Sequence, residues 1–293
     1  MKGYNPKEWF QVIFLIQKSD TLVKLGPFLL IIFLYSIGIA WIEMDYLKIG
    51  KNSWVQNIPI MHSLLSFVIS LLLVFRTNTA YDRWWEGRKL WGQLVNTSRN
   101  LALKLAGILE NSDEESRKFF RRTIPIYAFA LKEHLQSKVT LYMLDDKEDE
   151  EIKPEIDPEK HVPNQIAKLM FAKVNDLYKA QQITGDQLIV LNQELMSFTD
   201  ICGACERIKN TPIPYSYSSF IKKFILAYIL TLPLGYVFSL GYYAAPIVTF
   251  IFYILASLEL IAEEIEEPFG SDANDLPMGK LSQNIQKHVE ELI

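Results

Sequence analysis

The sequence predicts an all-α membrane protein in which four transmembrane helices are joined to a helical region in water. Three observations carry this expectation. Two apolar blocks, 25–75 and 224–262, enclose a charged middle, and they lift the hydrophobic share to 49% with 13% aromatics, high for a soluble domain. The middle repeats its apolar residues at helical spacing. Charge also stops abruptly at a block edge: none occurs from Ile60 to Phe75, and then Arg76, Asp82, Arg83, Glu86, Arg88 and Lys89 follow within fourteen positions. The whole chain, 1–293, reads as one domain. Its residues 25–75 and 224–262 cross the membrane, and 1–24, 76–223 and 263–293 are cytosolic.

The first two dozen residues mix Lys2, Lys7, Lys18 and Lys24 with Glu8 and Asp20 around Trp9, Phe10, Ile13, Phe14 and Ile16. That pattern suits an amphipathic arm lying on a surface, not a span. The apolar run after it begins too late for a signal peptide, and no small-residue cleavage site follows. Leu25 to Ile42 is uncharged and long enough for a first span, with Pro27 in its first turn. Glu43 to Gln56 reads as a short external loop around Gly50.

Pro59 opens the second span, and no turn signal separates it from the basic, tryptophan-rich stretch that ends near Gly92. One helix is therefore expected to leave the membrane and continue in water. Ser63, Ser66 and Ser70 share one face of it. Such a face either packs against a neighbouring helix or looks onto water.

The middle is read as helices at Arg83–Leu109, Glu114–Leu135 with a bend or restart at Pro125, Gln165–Gln181 and Asp186–Lys209. The acidic, proline-bearing stretch 144–164 is a solvated loop. TPIPYSY, 211–217, is an extended linker back to the bilayer. Between Lys223 and Glu259 lie 35 uncharged residues. One helix of that length would reach about 50 Å across a core of about 30 Å, so two spans are expected, broken among Gly235, Gly241 and Pro246. Arg76, Arg83, Arg88 and Lys89 after the second span, and Lys222 and Lys223 before the third, place the middle in the cytoplasm. Four spans then put both termini there too.

The net charge of −4 leaves no basic surface for nucleic acid. No nucleophile with its base, phosphate-binding glycine loop or metal-protease motif occurs, so an enzyme is not expected. Cys202 and Cys205 form a C-x-x-C late in a helical pattern, which suits two buried thiols better than a redox pair. The four histidines, His62, His134, His161 and His288, are scattered and propose no zinc site. The best cation candidate is the acidic segment 259–277, where Asp272, Asn274 and Asp275 follow Glu263, Glu264, Glu266 and Glu267. Its spacing is not that of an EF-hand, and an acidic helix end followed by an Asp/Asn-rich turn is more often solvated surface.

Three segments, RTNTAYDRWWEGRKLWGQL (76–94), GACERIKNTPIPYSY (203–217) and EEPFG (266–270), together resemble the prokaryotic branch of the bestrophins in order and separation. The resemblance covers nearly the whole chain. It implies a homopentameric, passive ion channel of the bacterial inner membrane, with four spans per subunit and the second lining a central pore. Chloride is the family default, and bacterial relatives include cation-conducting members.

By position relative to the R-W-W motif, the family's hydrophobic neck falls on Phe67, Leu71 and Phe75. The cytosolic exit ring falls on Asp186, or on Ile183 if the alignment shifts near Gly185. A ring of five aspartates would favour cations and raises a cation-selective channel as the alternative. Asp186 also suits the N-cap of its own helix. The calcium clasp of animal members corresponds to Asp272 and Asp275, so calcium is a candidate ligand, though not a required cofactor. The expected partners are permeating inorganic ions, further copies of the chain and the lipid bilayer. More distant rivals are a secondary transporter, for which only His62 offers an ionisable group within the spans, and a membrane scaffold.

Overall fold

A computed structural model describes residues 21–48, 57–136 and 156–293. The expected N-terminal arm, the loop around Gly50 and most of the acidic loop lie outside the described residues. The described chain is helical throughout: α1 Thr21–Trp41, α2 Ile58–Ile108, α3 Glu114–Gln136, α4 Val162–Lys179, α5 Gly185–Asn210, α6 Tyr215–Leu240, α7 Ala244–Glu266 and α8 Met278–Leu292. It divides into two compact units. One comprises the described residues up to Arg83 with Ile213–Glu266, and the other comprises Trp84–Pro212 with Glu267–Ile293.

The first unit holds the apolar helices. Thr21–Tyr46, Ile58–Ile108 and Tyr215–Glu266 are the stretches long and apolar enough to cross a membrane among the described residues. The last of them folds back on itself. Gly241 takes φ of +54°, a backbone open to glycine at little cost, and a single turn at Gly241–Tyr243 reverses the chain. α6 and α7 then pack together, and Lys222 near the start of one pairs with Glu263 near the end of the other at 2.9 Å. Of the three expected break points, Gly241 is the one used.

α1 lies along α7 and also meets α6, where Tyr35 donates to the Leu230 carbonyl at 2.9 Å. Gly235 brings α6 close to the start of α2: a Cβ there would sit 3.0 Å from Ile58 and Pro59. Close backbone approach through a small residue is how helices associate where lipid offers no hydrophobic drive.

The second unit has an ordinary hydrophobic core. Trp91, Leu94, Leu101 and Leu105 of α2 pack with Phe120, Ile124, Tyr127 and Leu131 of α3, Ile166 and Met170 of α4, and Leu195 and Phe198 of α5. α5 opens on a capping box in which the Thr184 hydroxyl accepts from the Gln187 amide and the Gln187 side chain accepts from the Thr184 amide. α4 begins three residues earlier than the sequence suggested, because the His161 imidazole caps it and Pro163 fits its first turn.

Pro125 does not break α3, which runs unbroken from Glu114 to Gln136 with the proline ring buried in the core. Packing there outweighs one lost backbone hydrogen bond. α8 was not anticipated. Its buried Met278, Ser282, Ile285 and Val289 recur every three or four residues, and it packs on α3.

Candidate functional site

α2 is continuous, as the missing turn signal required. In the apolar unit its buried face carries His62, Ile69, Leu73, Arg76 and Ala80. The opposite face has no partner among the described residues, and on it Phe67, Leu71 and Phe75 are 71%, 46% and 56% exposed. Residues four apart lie on one side of a helix and rise about 6 Å each time, so the three side chains form a row about 12 Å long. Ile60 and Leu64 extend the row upward and the exposed Asn78 follows it downward.

The serines of α2 satisfy their hydroxyls locally. Ser63, Ser66 and Ser70 each return their hydroxyl to a carbonyl of α2 itself, those of Ile60, Ser63 and Ser66, at 2.7 Å. Their polarity is largely absorbed by their own backbone, leaving small side chains on the flank of the aromatic row. His62 is likewise engaged: its Nε2 lies 3.0 Å from the Thr231 hydroxyl and its Nδ1 3.1 Å from the Ile58 carbonyl.

Immediately below Phe75, Arg76 is buried at 1% exposure, a role that the sequence reading missed. Its guanidinium pairs with Glu266 at 2.7 Å and with Glu259 at 3.4 Å. Glu266 also accepts from the Ile213 amide at 2.7 Å, and its backbone carbonyl accepts from Arg83 Nε at 3.1 Å. Glu264 pairs with Lys24, and Glu263 with Lys222. Each of these four acids near the end of α7 is thus engaged by a base of the chain itself, Arg76 serving two of them. Nothing local could have hinted at this, since the nearest acid along the chain is Asp82, six positions on, and the two partners lie at the far end of the sequence.

In the second unit, Asp186 is exposed in the first turn of α5. It is not the N-cap, which is Thr184. Ile183 is 4% exposed and packs into the core of its own chain, so it cannot line an aqueous exit.

Asp275 is buried at 2% exposure, and its Oδ2 accepts from the Asp272 amide at 2.5 Å. A Cβ on Gly270 would come within 2.7 Å of that same oxygen, so the glycine makes room for the carboxylate. Asp272 turns its side chain to solvent. The two aspartates thus build a turn, not a paired carboxylate set, and no third acid or imidazole joins them among the described residues. Beside this turn Phe269 and Pro268 press on Gly87 of α2, where a Cβ would meet them at 3.1 and 3.2 Å, and Trp84 Nε1 donates to the Asn274 carbonyl at 3.0 Å.

Cys202 and Cys205 are free and buried. Burial pushes the Cys202 thiol up to about 12 and the Cys205 thiol up as well, the neighbouring Glu206 adding to both. They are inert packing residues, as their helical setting suggested. The histidines are not all scattered: His134 and His161 meet at Glu206, three elements brought together by the fold.

Residues 3–291 match the family described as Bacterial/Fungal Bestrophin protein. A voltage-dependent anion channel-forming protein of Nostoc is 33% identical over 290 residues, which are 98% of this chain and 92% of that one. The protein of the same description from Escherichia coli K12 is 30% identical, over 96% of this chain and 90% of its own. Among solved structures, a variant of a bacterial bestrophin homolog from Klebsiella pneumoniae superposes with a TM-score of 0.77 at 26% identity, over 90% of this chain and 97% of that one.

Proposed function

The chain belongs to the bacterial and fungal bestrophin family, and from that premise we propose that it is a passive anion channel, chloride being the default ion, assembled from five copies. As a member of the family it is a multi-pass, all-α membrane protein and not an enzyme. The names of its relatives in Nostoc and Escherichia coli support anion conduction. In this reading α1, the first half of α2, α6 and α7 make four crossings of the bacterial inner membrane, with both termini in the cytoplasm.

The observation that carries the reading is the row Phe67, Leu71, Phe75 on α2, exposed among the described residues. Five copies turned inward stack these side chains into three apolar rings over about 12 Å. A constriction of that kind stops ions by shedding water and needs no physical plug. Having no charge, it does not choose the sign of the ion. Selectivity then falls to polar rims, of which exposed Asp186 is one; five aspartates would draw cations and hold anions back. That exposed carboxylate favours the second reading, a cation-selective channel.

Current through purified protein in a planar bilayer tests both. Under a tenfold salt gradient an ideally selective channel reverses at about 59 mV, with a sign that reports anion or cation. Replacing Phe67, Leu71 and Phe75 together by alanine is expected to raise conductance without inverting that sign. Unchanged currents in this variant would remove the neck, and silence from the wild type and the variant alike would remove the channel.

A further inference from the structure

We propose that His134, His161 and Glu206 form a binding site for a first-row transition ion, Zn2+ foremost, which clasps three helices of the second unit. The three donors come from different elements: His134 from the last turn of α3, His161 from the residue that caps α4, and Glu206 from the last third of α5. In sequence the imidazoles are 27 positions apart and the carboxylate is 45 further on, so no motif announces them.

One carboxylate oxygen takes both rings. Glu206 Oε1 lies 2.5 Å from His134 Nε2 and 2.6 Å from His161 Nε2, and the ring centroids are 4.5 Å apart. One ligand atom from each residue lies within 4.8 Å of the others, and all three residues are half-buried, within reach of solvent. Tetrahedral zinc with bonds of about 2.0–2.1 Å spaces its ligand atoms about 3.3 Å apart. An ion replacing the shared protons therefore asks each ring to retreat by under about 1 Å, which the half-open setting permits. Two imidazoles and a carboxylate suit zinc, nickel or copper, whereas calcium and magnesium want an oxygen cage that is lacking here. Three protein ligands leave a fourth position to water.

The site carries one structural condition. His161 Nδ1 accepts from the Asn164 amide at 3.2 Å and caps α4. With Nε2 bound to a metal, the ring's proton must sit on Nδ1, so that cap is released and the exposed amide turns to water. Loading the ion thus exchanges a helix cap for a link among α3, α4 and α5. Lys209, three residues after Glu206, donates to the His134 carbonyl at 2.9 Å and stays out of the donor set.

The test is metal content and spectroscopy on the full-length protein in detergent. After exposure to zinc and gel filtration the wild type is expected to keep about one ion per chain and to melt at a higher temperature than the chelator-treated protein. Cobalt in place of zinc should give the visible absorption of a tetrahedral centre. His161→Asn keeps a good helix cap while removing the ligand, and His134→Gln and Glu206→Gln remove the other two. Each should lose the ion, the zinc-dependent rise in melting and the cobalt band, with an unchanged metal-free melting temperature for His161→Asn showing that it folds. A wild type that leaves gel filtration free of zinc, or variants that retain zinc undiminished, would overturn the assignment.

Discussion

Arg76 is the residue whose loss should be felt most, because it fixes α2 one position below the aromatic row. Its guanidinium is 1% exposed and faces two carboxylates, Glu259 at 4% and Glu266 at 8%. Arg76→Gln removes the cation and leaves both acids buried without it. Breaking a buried pair in this way costs about 3–5 kcal/mol, since the uncompensated charge remains. At about 2–4 °C per kcal/mol for a chain of this order, the melting temperature should fall by about 6–20 °C. The Arg207–Glu86 pair, at 2.6 Å but 66% and 42% exposed, is the control: Arg207→Gln should cost no more than about 1 kcal/mol after solvent screening. Adding Glu259→Gln to Arg76→Gln should cost less than the sum of the two, by about 0.5–3 kcal/mol, because the second change removes a charge that the first left stranded. Melting curves of the purified variants in one detergent decide it. If Arg76→Gln melts like Arg207→Gln, or the double variant is additive, the buried network does not hold α2.

Three further expectations follow from the same geometry. Asp186→Asn should shift the reversal potential under a salt gradient toward anions, and no shift would mean that this exposed carboxylate does not face the conducting path. Cys202 and Cys205 should resist iodoacetamide in the native protein at pH 8, where a thiol held at about 12 is ionised in about one molecule in ten thousand; rapid labelling before denaturation would contradict their burial. Calcium should leave the melting temperature where a chelator leaves it, while Asp275→Asn lowers it in both, because the carboxylate serves the Asp272 amide. A calcium-dependent rise abolished by Asp272→Ala would restore the two aspartates as a calcium site.

The helices were legible because each obeys a local rule: apolar runs for the spans, a 3.6-residue period for α2 to α5, and a glycine for the turn at Gly241. What escaped was the pairing of charges and donors distant in sequence. Nothing near Arg76 announces Glu259 and Glu266, which lie 183 and 190 positions away. His134, His161 and Glu206 come from three elements that only the packing brings together. Ile183 shows the same limit, since alignment can put a side chain near a helix start but only packing buries it, here at 4% exposure. α8 carried a readable period at Met278, Ser282, Ile285 and Val289, but it is short and follows an acidic turn with no helix-start signal beyond Pro277.

The segments that carry the family resemblance are mostly devices for packing. Gly87 exists to admit Phe269 and Pro268, Trp84 is tied to the Asn274 carbonyl, and Glu86 pairs with Arg207. In the apolar unit Arg76 and Arg83 are spent on Glu259 and Glu266. Residues fixed this way specify the scaffold and have no side chain left over to sort ions. Among the described residues, the row Phe67, Leu71, Phe75 and Asp186 are exposed, the row able to set how readily ions pass and the carboxylate able to sort them by sign. A relative can therefore keep every packing segment and still differ in the ion it passes, by changing side chains that hold nothing together. On this argument substitutions at Phe67, Leu71, Phe75 and Asp186 should change conductance or selectivity with little effect on melting, whereas Arg76, Gly87 and Asp275 should do the reverse.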